Sequence, residues 1–192
     1  LWKKMAETAS AVTVGAWYGG LGFVPSAGAT VTASADQSTM SKYLKNIYMS
    51  AATAVDDPVV CKSLNFAFSH LMACLNISVS ISDAGVAGKD VMGAGAVLVN
   101  VKNTAVLNTD TGKGYKLVTG SGKVNLKMRS EWNEQNPYKI NFKCLLPPQT
   151  LPSSQKIELT LGNGKSYVCT LNDGATVLTA GYITTLPVNI LP

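Results

Sequence analysis

A single histidine, His70, and eleven acidic residues leave this chain of 192 residues short of the groups most enzymes work with. One imidazole cannot supply the two or three nitrogen ligands of common zinc sites. A Ser–His–Asp arrangement is not excluded by count, but His70 lies inside a strand-like run, where a fixed hydrogen bond to backbone is the ordinary use. No two carboxylates are paired by spacing for acid–base work. The four cysteines, Cys61, Cys74, Cys144 and Cys169, contain no CxxC pair, which argues against metal ligation. Cys144 and Cys169 fall on the apolar parity of their strands and read as small buried hydrophobes. One disulfide could form, and the sequence does not choose among the connectivities. No window approaches the ~18 apolar residues of a membrane span, and no apolar core of a signal peptide is visible. The expectation is no catalytic residue, no cofactor and no metal.

Charge is also sparse. Charged residues are 14% of the chain against 46% hydrophobic, which is ample for a packed core and inconsistent with bulk disorder. Sixteen basic residues against eleven acidic give a net charge of +5. The lysines are scattered along the chain, with only Lys3 and Lys4 adjacent, whereas nucleic-acid binding needs a concentrated basic face interleaved with aromatics. Nucleic acid is therefore not expected as a partner.

What the chain does have is alternation. Leu64–Ile81 (LNFAFSHLMACLNISVSI) sets Leu64, Phe66 and Phe68 on one parity and Leu71, Ala73, Leu75, Ile77, Val79 and Ile81 on the other. A period of two predicts a strand with one buried face, and the change of parity near Ser69 and His70 predicts that the buried face flips there, at a bulge or where the strand passes between packed sheets. Phe66, Phe68, His70, Leu75, Ile77 and Val79 are the expected residues of this central strand, with the apolar ones in the core. Further strands are expected over Ala11–Trp17, Ala29–Ser34, Asn46–Ala51, Ala96–Val101, Thr104–Leu107, Tyr115–Val118, Val124–Met128 and Tyr138–Leu145. In the last of these Tyr138, Ile140, Phe142 and Cys144 are expected to point inward. Asp36–Ser41 and Glu131–Pro137 read as polar connections, and Ser82–Gly95, with four glycines, as a mobile loop.

Ile157–Leu161 and Ser166–Leu171 flank Gly162-Asn163-Gly164-Lys165, whose Asn-Gly centre is the strongest hairpin signal in the chain. Gly162–Ser166 imitates the end of a phosphate-binding loop. The glycine such a loop needs five residues before Gly164 is replaced by Leu159, and a strand follows where a helix should. Turns at short intervals and no convincing helix predict an all-β antiparallel sandwich. The three short strands of residues 1–57 rarely close a core alone, so this region reads as part of a domain rather than a whole one. Trp17, Tyr18 and Trp132 are the residues that could stack on sugars.

Several of these segments, in order, resemble fimbrillin-like proteins of Bacteroidetes. They are Val12–Trp17, Asp36-Gln37-Ser38, Asn46–Ala51 and the pattern Phe66-x-Phe68-x-His70-x-x-Ala73. They continue with Leu146-Pro147-Pro148-Gln149-Thr150, a Gly-Lys turn, Ser166-Tyr167 and Thr179-Ala180-Gly181-Tyr182. Cys74 departs from the pattern, which commonly shows lysine there. The resemblance implies a transthyretin-like, Greek-key sandwich over residues 58–192, with residues 1–57 as the C-terminal remnant of a second β domain at the N-terminus. It further implies an exported lipoprotein of the cell surface, associated with the outer membrane. Its role would be as a fimbrial subunit or accessory protein, serving adhesion to a host protein or glycan.

Such subunits join one another by strand addition. Gly181–Pro192 is the candidate exchangeable element, with Gly181, Tyr182, Ile183, Leu186, Val188 and Ile190 as its residues and Pro187 suited to a sheet edge. The alternatives are a glycan-binding surface lipoprotein and a secreted enzyme.

Overall fold

In the computed structural model residues 12–19, 25–56, 63–170 and 174–191 are described. Lys3, Lys4, Ala11, Cys61, Leu171 and Pro192, which carried expectations above, lie outside them. The first part of the chain contributes β1 (Val12–Tyr18), β2 (Thr30–Thr32), α1 (Met40–Leu44), β3 (Met49–Val55) and β4 (Ser69–His70). There follow β5 (Ala73–Ile81), α2 (Gly88–Met92), β6 (Gly95–Lys102), β7 (Thr104–Asp110), β8 (Gly114–Thr119) and β9 (Lys123–Lys127). The rest comprises β10 (Arg129–Trp132), β11 (Lys139–Leu146), β12 (Gln149–Leu151), β13 (Lys156–Thr160), β14 (Ser166–Thr170), β15 (Thr176–Leu178) and β16 (Ile183–Ile190).

The sheets run β10-β11-β5-β16, β14-β13-β6-β9, β1-β3-β4, β2-β7-β8 and β12-β15. Every strand pair is antiparallel except β5 with β16, which is parallel. This is an all-β sandwich.

Its organising feature is the β5–β11 pair, which has a core on each side. Leu75, Ile77, Val79, Ile140, Phe142 and Cys144 face a large apolar cluster with Leu98, Leu126, Ile157 and Leu159 from the β14-β13-β6-β9 sheet. Cys74 and Leu145, on the other face, join Val31, Tyr48, Ala105 and Leu107 from the two three-stranded sheets. Leu71, Met72, Ala73, Cys74 and Leu75 are buried in succession, so alternation disappears where the chain runs between two layers. Sheets are shared across residues 57 and 58: β2 pairs with β7, and β3 with β4. The expected division into 1–57 and 58–192 therefore falls within shared sheets and a shared core.

Three expectations are corrected. The segment Leu64–Phe68 is not strand: regular pairing begins at Ser69. Phe66 is only half-buried and Phe68 is 42% exposed, and their rings pack on each other with centroids 6.4 Å apart. The chain enters the interior at Leu71. Tyr138 is 50% exposed, lying just before β11 begins, while Ile140, Phe142 and Cys144 do point inward.

The third correction is that two short helices exist. In α1 the Thr39 hydroxyl accepts the Lys42 N–H (3.3 Å), and the buried Asn46 amide donates to the carbonyls of Lys42 (2.8 Å) and Tyr43 (3.3 Å). One polar side chain at each end thus satisfies groups a five-residue helix leaves unpaired. In α2 the Asp90 carboxylate accepts the Ala87 N–H (3.3 Å).

Candidate assembly edge

β16 lies at the end of its sheet, and among the described residues β5 is its one neighbour. The pairing runs in unbroken register from Ile183 opposite Cys74 to Ile190 opposite Ile81. Cys74 N–H donates to the Tyr182 carbonyl and Ser82 N–H to the Ile190 carbonyl, both at 2.9 Å. The backbone groups of even-numbered residues in this strand therefore point at β5, and those of odd-numbered residues point away. Pro187 is odd. Its missing N–H removes nothing from the β5 ladder and withdraws one donor from the outer edge.

Side chains follow the same two-fold rhythm. Leu186 and Val188 pack half-buried against the large core, and Ile190 is buried. Ile183 and Tyr182 are exposed at 68% and 69%. Asn76 Nδ2 donates to Thr185 Oγ1 (3.3 Å), a side-chain link across the pair, while Asn76 Oδ1 is buried without a hydrogen-bond partner. The strand is introduced by Gly181, whose φ of 77° is open to glycine and strained for other residues. Gly181 N–H donates to the Met72 carbonyl (2.9 Å), so the turn is held where β5 begins. The structure thus gathers Gly181, Tyr182, Ile183, Leu186, Val188 and Ile190 in one edge element packed on the central strand.

His70, of β4, is exposed beside Tyr182 and Gly181 in a cleft of about 700 Å³ that Tyr115, Asp110 and Lys113 also line. Leu75, Ile77 and Val79 are buried in the core; Phe66 and Phe68 are remote from that role. Trp17 and Trp132 lie against different cores. Trp132 Nε1 donates to the Pro137 carbonyl (3.1 Å) and its ring packs on the large core, whereas Trp17 stacks with Tyr48 and Tyr115 beside the smaller one. Gly162–Lys165 is a hairpin turn between β13 and β14, with Gly164 at φ 85°.

Cys74, Cys144 and Cys169 are free thiols, and burial pushes the Cys144 and Cys169 thiols up. Among the described residues no group of His, Cys, Asp and Glu could hold a metal, and no helix is long and apolar enough to cross a membrane.

Sequence reasoning missed the residues that hold the site's scaffold together through buried amides. Gln37 is fully buried, and nothing in its sequence surroundings marks it as such. It also missed a cluster of lysines made only by strand register, described below.

The last described strand of the β-sandwich thus lies at a sheet edge, with backbone groups on its outer side free to meet a further strand. Comparison identifies the family. A model of fimbrillin-like proteins matches residues 4–192, and the chain belongs to that family.

Three crystal structures are similar in fold, each of a candidate cell adhesion protein. That from Bacteroides ovatus has 18% identity and a TM-score of 0.66, covering 93% of this chain and 62% of its own. The one from Bacteroides uniformis has 17% identity and a TM-score of 0.61, covering 92% and 67%. The one from Bacteroides thetaiotaomicron has 13% identity and a TM-score of 0.58, covering 98% and 69%. This chain spans about two thirds of their length. No curated protein matches it.

Proposed function

We propose that the chain is a structural or accessory subunit of a cell-surface fimbria, exported and outer-membrane-associated, that joins neighbouring subunits through β16 and serves adhesion. Membership in the fimbrillin-like family supports the class of role. The observation that carries the proposed mode of joining is the parallel, edge-placed β16. Its inward Leu186 and Val188 are only half-buried, and its odd-numbered backbone groups point away from β5. In this reading β16 leaves its place beside β5 and is exchanged between subunits, where main-chain hydrogen bonds supply strength and alternate side chains supply fit.

The reading is tested on producing cells. Negative-stain microscopy with immunogold labelling is expected to place the protein along surface fibres, and deletion of Val188–Pro192 is expected to remove it from them. Label confined to the cell body, with fibres of normal number and length in a strain lacking the gene, would contradict it.

A further inference from the structure

A second cleft, of about 600 Å³, lies at the end of the β14-β13-β6-β9 sheet and is lined by Lys102, Lys123, Lys156, Asn100, Gln149 and Gln155, among others. None of its lining residues belongs to β16, so it stands apart from the assembly reading. Its origin is an irregularity in β6. Pairing with β9 is regular at Val97 and Leu98, slips between Leu98 and Val101, and resumes at Val101 opposite Val124 and Lys102 opposite Lys123. Asn100 sits in the slip with φ 54°, the one non-glycine residue in that region among those described. The Asn125 side-chain oxygen accepts its N–H (2.9 Å).

The Val99 carbonyl, inside the slip, accepts Gln155 Nε2 (2.5 Å). The Lys102 carbonyl, beyond the last β13 residue paired with β6, accepts Gln149 Nε2 (2.8 Å). Two glutamine side chains thus tie the bulge and its flank to neighbouring segments.

The charges are the unexplained part. Lys102 and Lys123 are direct cross-strand partners, and like charges placed directly opposite destabilise a sheet. Lys156 adds a third ammonium from β13 on the other side of β6. All three are exposed, and among the described residues none of them forms a salt bridge. No carboxylate lines the cleft; Glu158, two residues along β13, pairs opposite Val97 and outside the lining. A fold that holds an uncompensated lysine pair at a built bulge is complementary to an anion.

We infer that this cleft binds an anionic polysaccharide. Its sulfate or carboxylate groups would sit between Lys102, Lys123 and Lys156, and its hydroxyls against Gln149, Gln155, Thr150 and Ser154. A nucleic acid fits less well, because no aromatic side chain lines the cleft to stack on a base.

The test is calorimetric titration of the whole chain with a heparin hexasaccharide at low salt, alongside a hyaluronan hexasaccharide and a single-stranded oligonucleotide. Substituting Lys102→Gln with Lys123→Gln is expected to weaken saccharide binding by about tenfold or more and to lower the salt dependence by about two charges. The control pair Lys113→Gln with Lys116→Gln removes the same net charge elsewhere and is expected to change affinity less than about twofold. Preference for heparin assigns sulfate as the recognised group, and preference for hyaluronan assigns carboxylate. Lys102→Gln alone is expected to raise the melting temperature of the free protein, which also shows that the variant folds. Equal losses from the two pairs would reduce the effect to overall positive charge and overturn the site. So would no measurable saccharide binding, or tighter binding of the oligonucleotide.

Discussion

The side-chain amide of Gln37 takes the place of a strand beside Leu145: its Oε1 accepts the Leu145 N–H at 2.8 Å and its Nε2 donates to the Leu145 carbonyl at 2.9 Å. β10 pairs with β11 only as far as Arg129 opposite Lys143, so the outward backbone groups of Leu145 would otherwise be buried without partners. Gln37 is itself 0% exposed and also reaches the Ser34 carbonyl (3.2 Å), which ties the segment after β2 to the central sheet. Gln37→Ala is expected to leave two backbone groups unsatisfied, at about 1–3 kcal/mol each. For a chain of this size that is a fall in melting temperature on the order of 5–15 °C. A thermal melt within about 2 °C of wild type would show that water or a local shift replaces the amide.

The core assignment makes a graded series. Phe142 is fully buried on β11, opposite Ile77, and Phe142→Ala is expected to cost about 3–5 kcal/mol in urea unfolding. Phe68, 42% exposed, is expected to cost less than about 1 kcal/mol on the same change. Equal costs at the two positions would place Phe68 in a core that the structure does not give it.

Acid should act through Glu131. Burial alone would raise its carboxyl, but hydrogen bonds from Lys143 and Arg129, both ion-paired to it at 2.5 Å, outweigh burial and hold it below its ordinary value. Asp83 is also held down, first by its hydrogen bond from Lys165 and then by the Gly85 N–H. Groups depressed in the folded state contribute stability above their unfolded pKa, and that stability is lost as pH falls through the folded value. Stability is therefore expected to decline below about pH 4.5. The decline should be shallower in Glu131→Gln, which has already lost the ionised form. Melts from pH 7 to pH 2.5 decide it: parallel profiles for wild type and variant would remove Glu131 from the account.

The turn at Gly181 sets where β16 starts. Gly181→Ala forces a side chain into φ 77° and brings its Cβ within 3.9 Å of His70 Cβ, so strain rather than a clash is the cost. A loss of about 1–2 kcal/mol in urea unfolding is expected. Faster backbone hydrogen exchange confined to Tyr182–Ile190 should accompany it, and uniform exchange across the sheets would argue against a local role.

Much of the fold was legible because strands advertise themselves. The alternation from Ala73 to Ile81 and from Lys139 to Cys144 and the Asn163-Gly164 hairpin each follow from backbone period or turn chemistry that acts locally. The alternation Leu64-x-Phe66-x-Phe68 misled for the same reason: period two shows that a segment can be a strand, not that a partner lies beside it. α1 and α2 escaped detection because five residues are too few to show a helical period. The edge element Gly181–Ile190 was legible, including Pro187, but its parallel pairing with β5 was not. The lysine cleft was hidden entirely: Lys102 and Lys123 are far apart in sequence and meet only through the register of β6 with β9.

The central claim, that β16 is the element through which subunits join, is most directly tested by locking it. Thr185 and Asn76 are register partners whose side chains already touch, so Thr185→Cys with Asn76→Cys places two thiols across the pair. Fibre assembly by the oxidised protein is measured against the same protein reduced. The account predicts fibres from the reduced form and a sharp loss of fibres from the oxidised form, with an unchanged fold. Equal entry of the two forms into fibres would contradict exchange of β16.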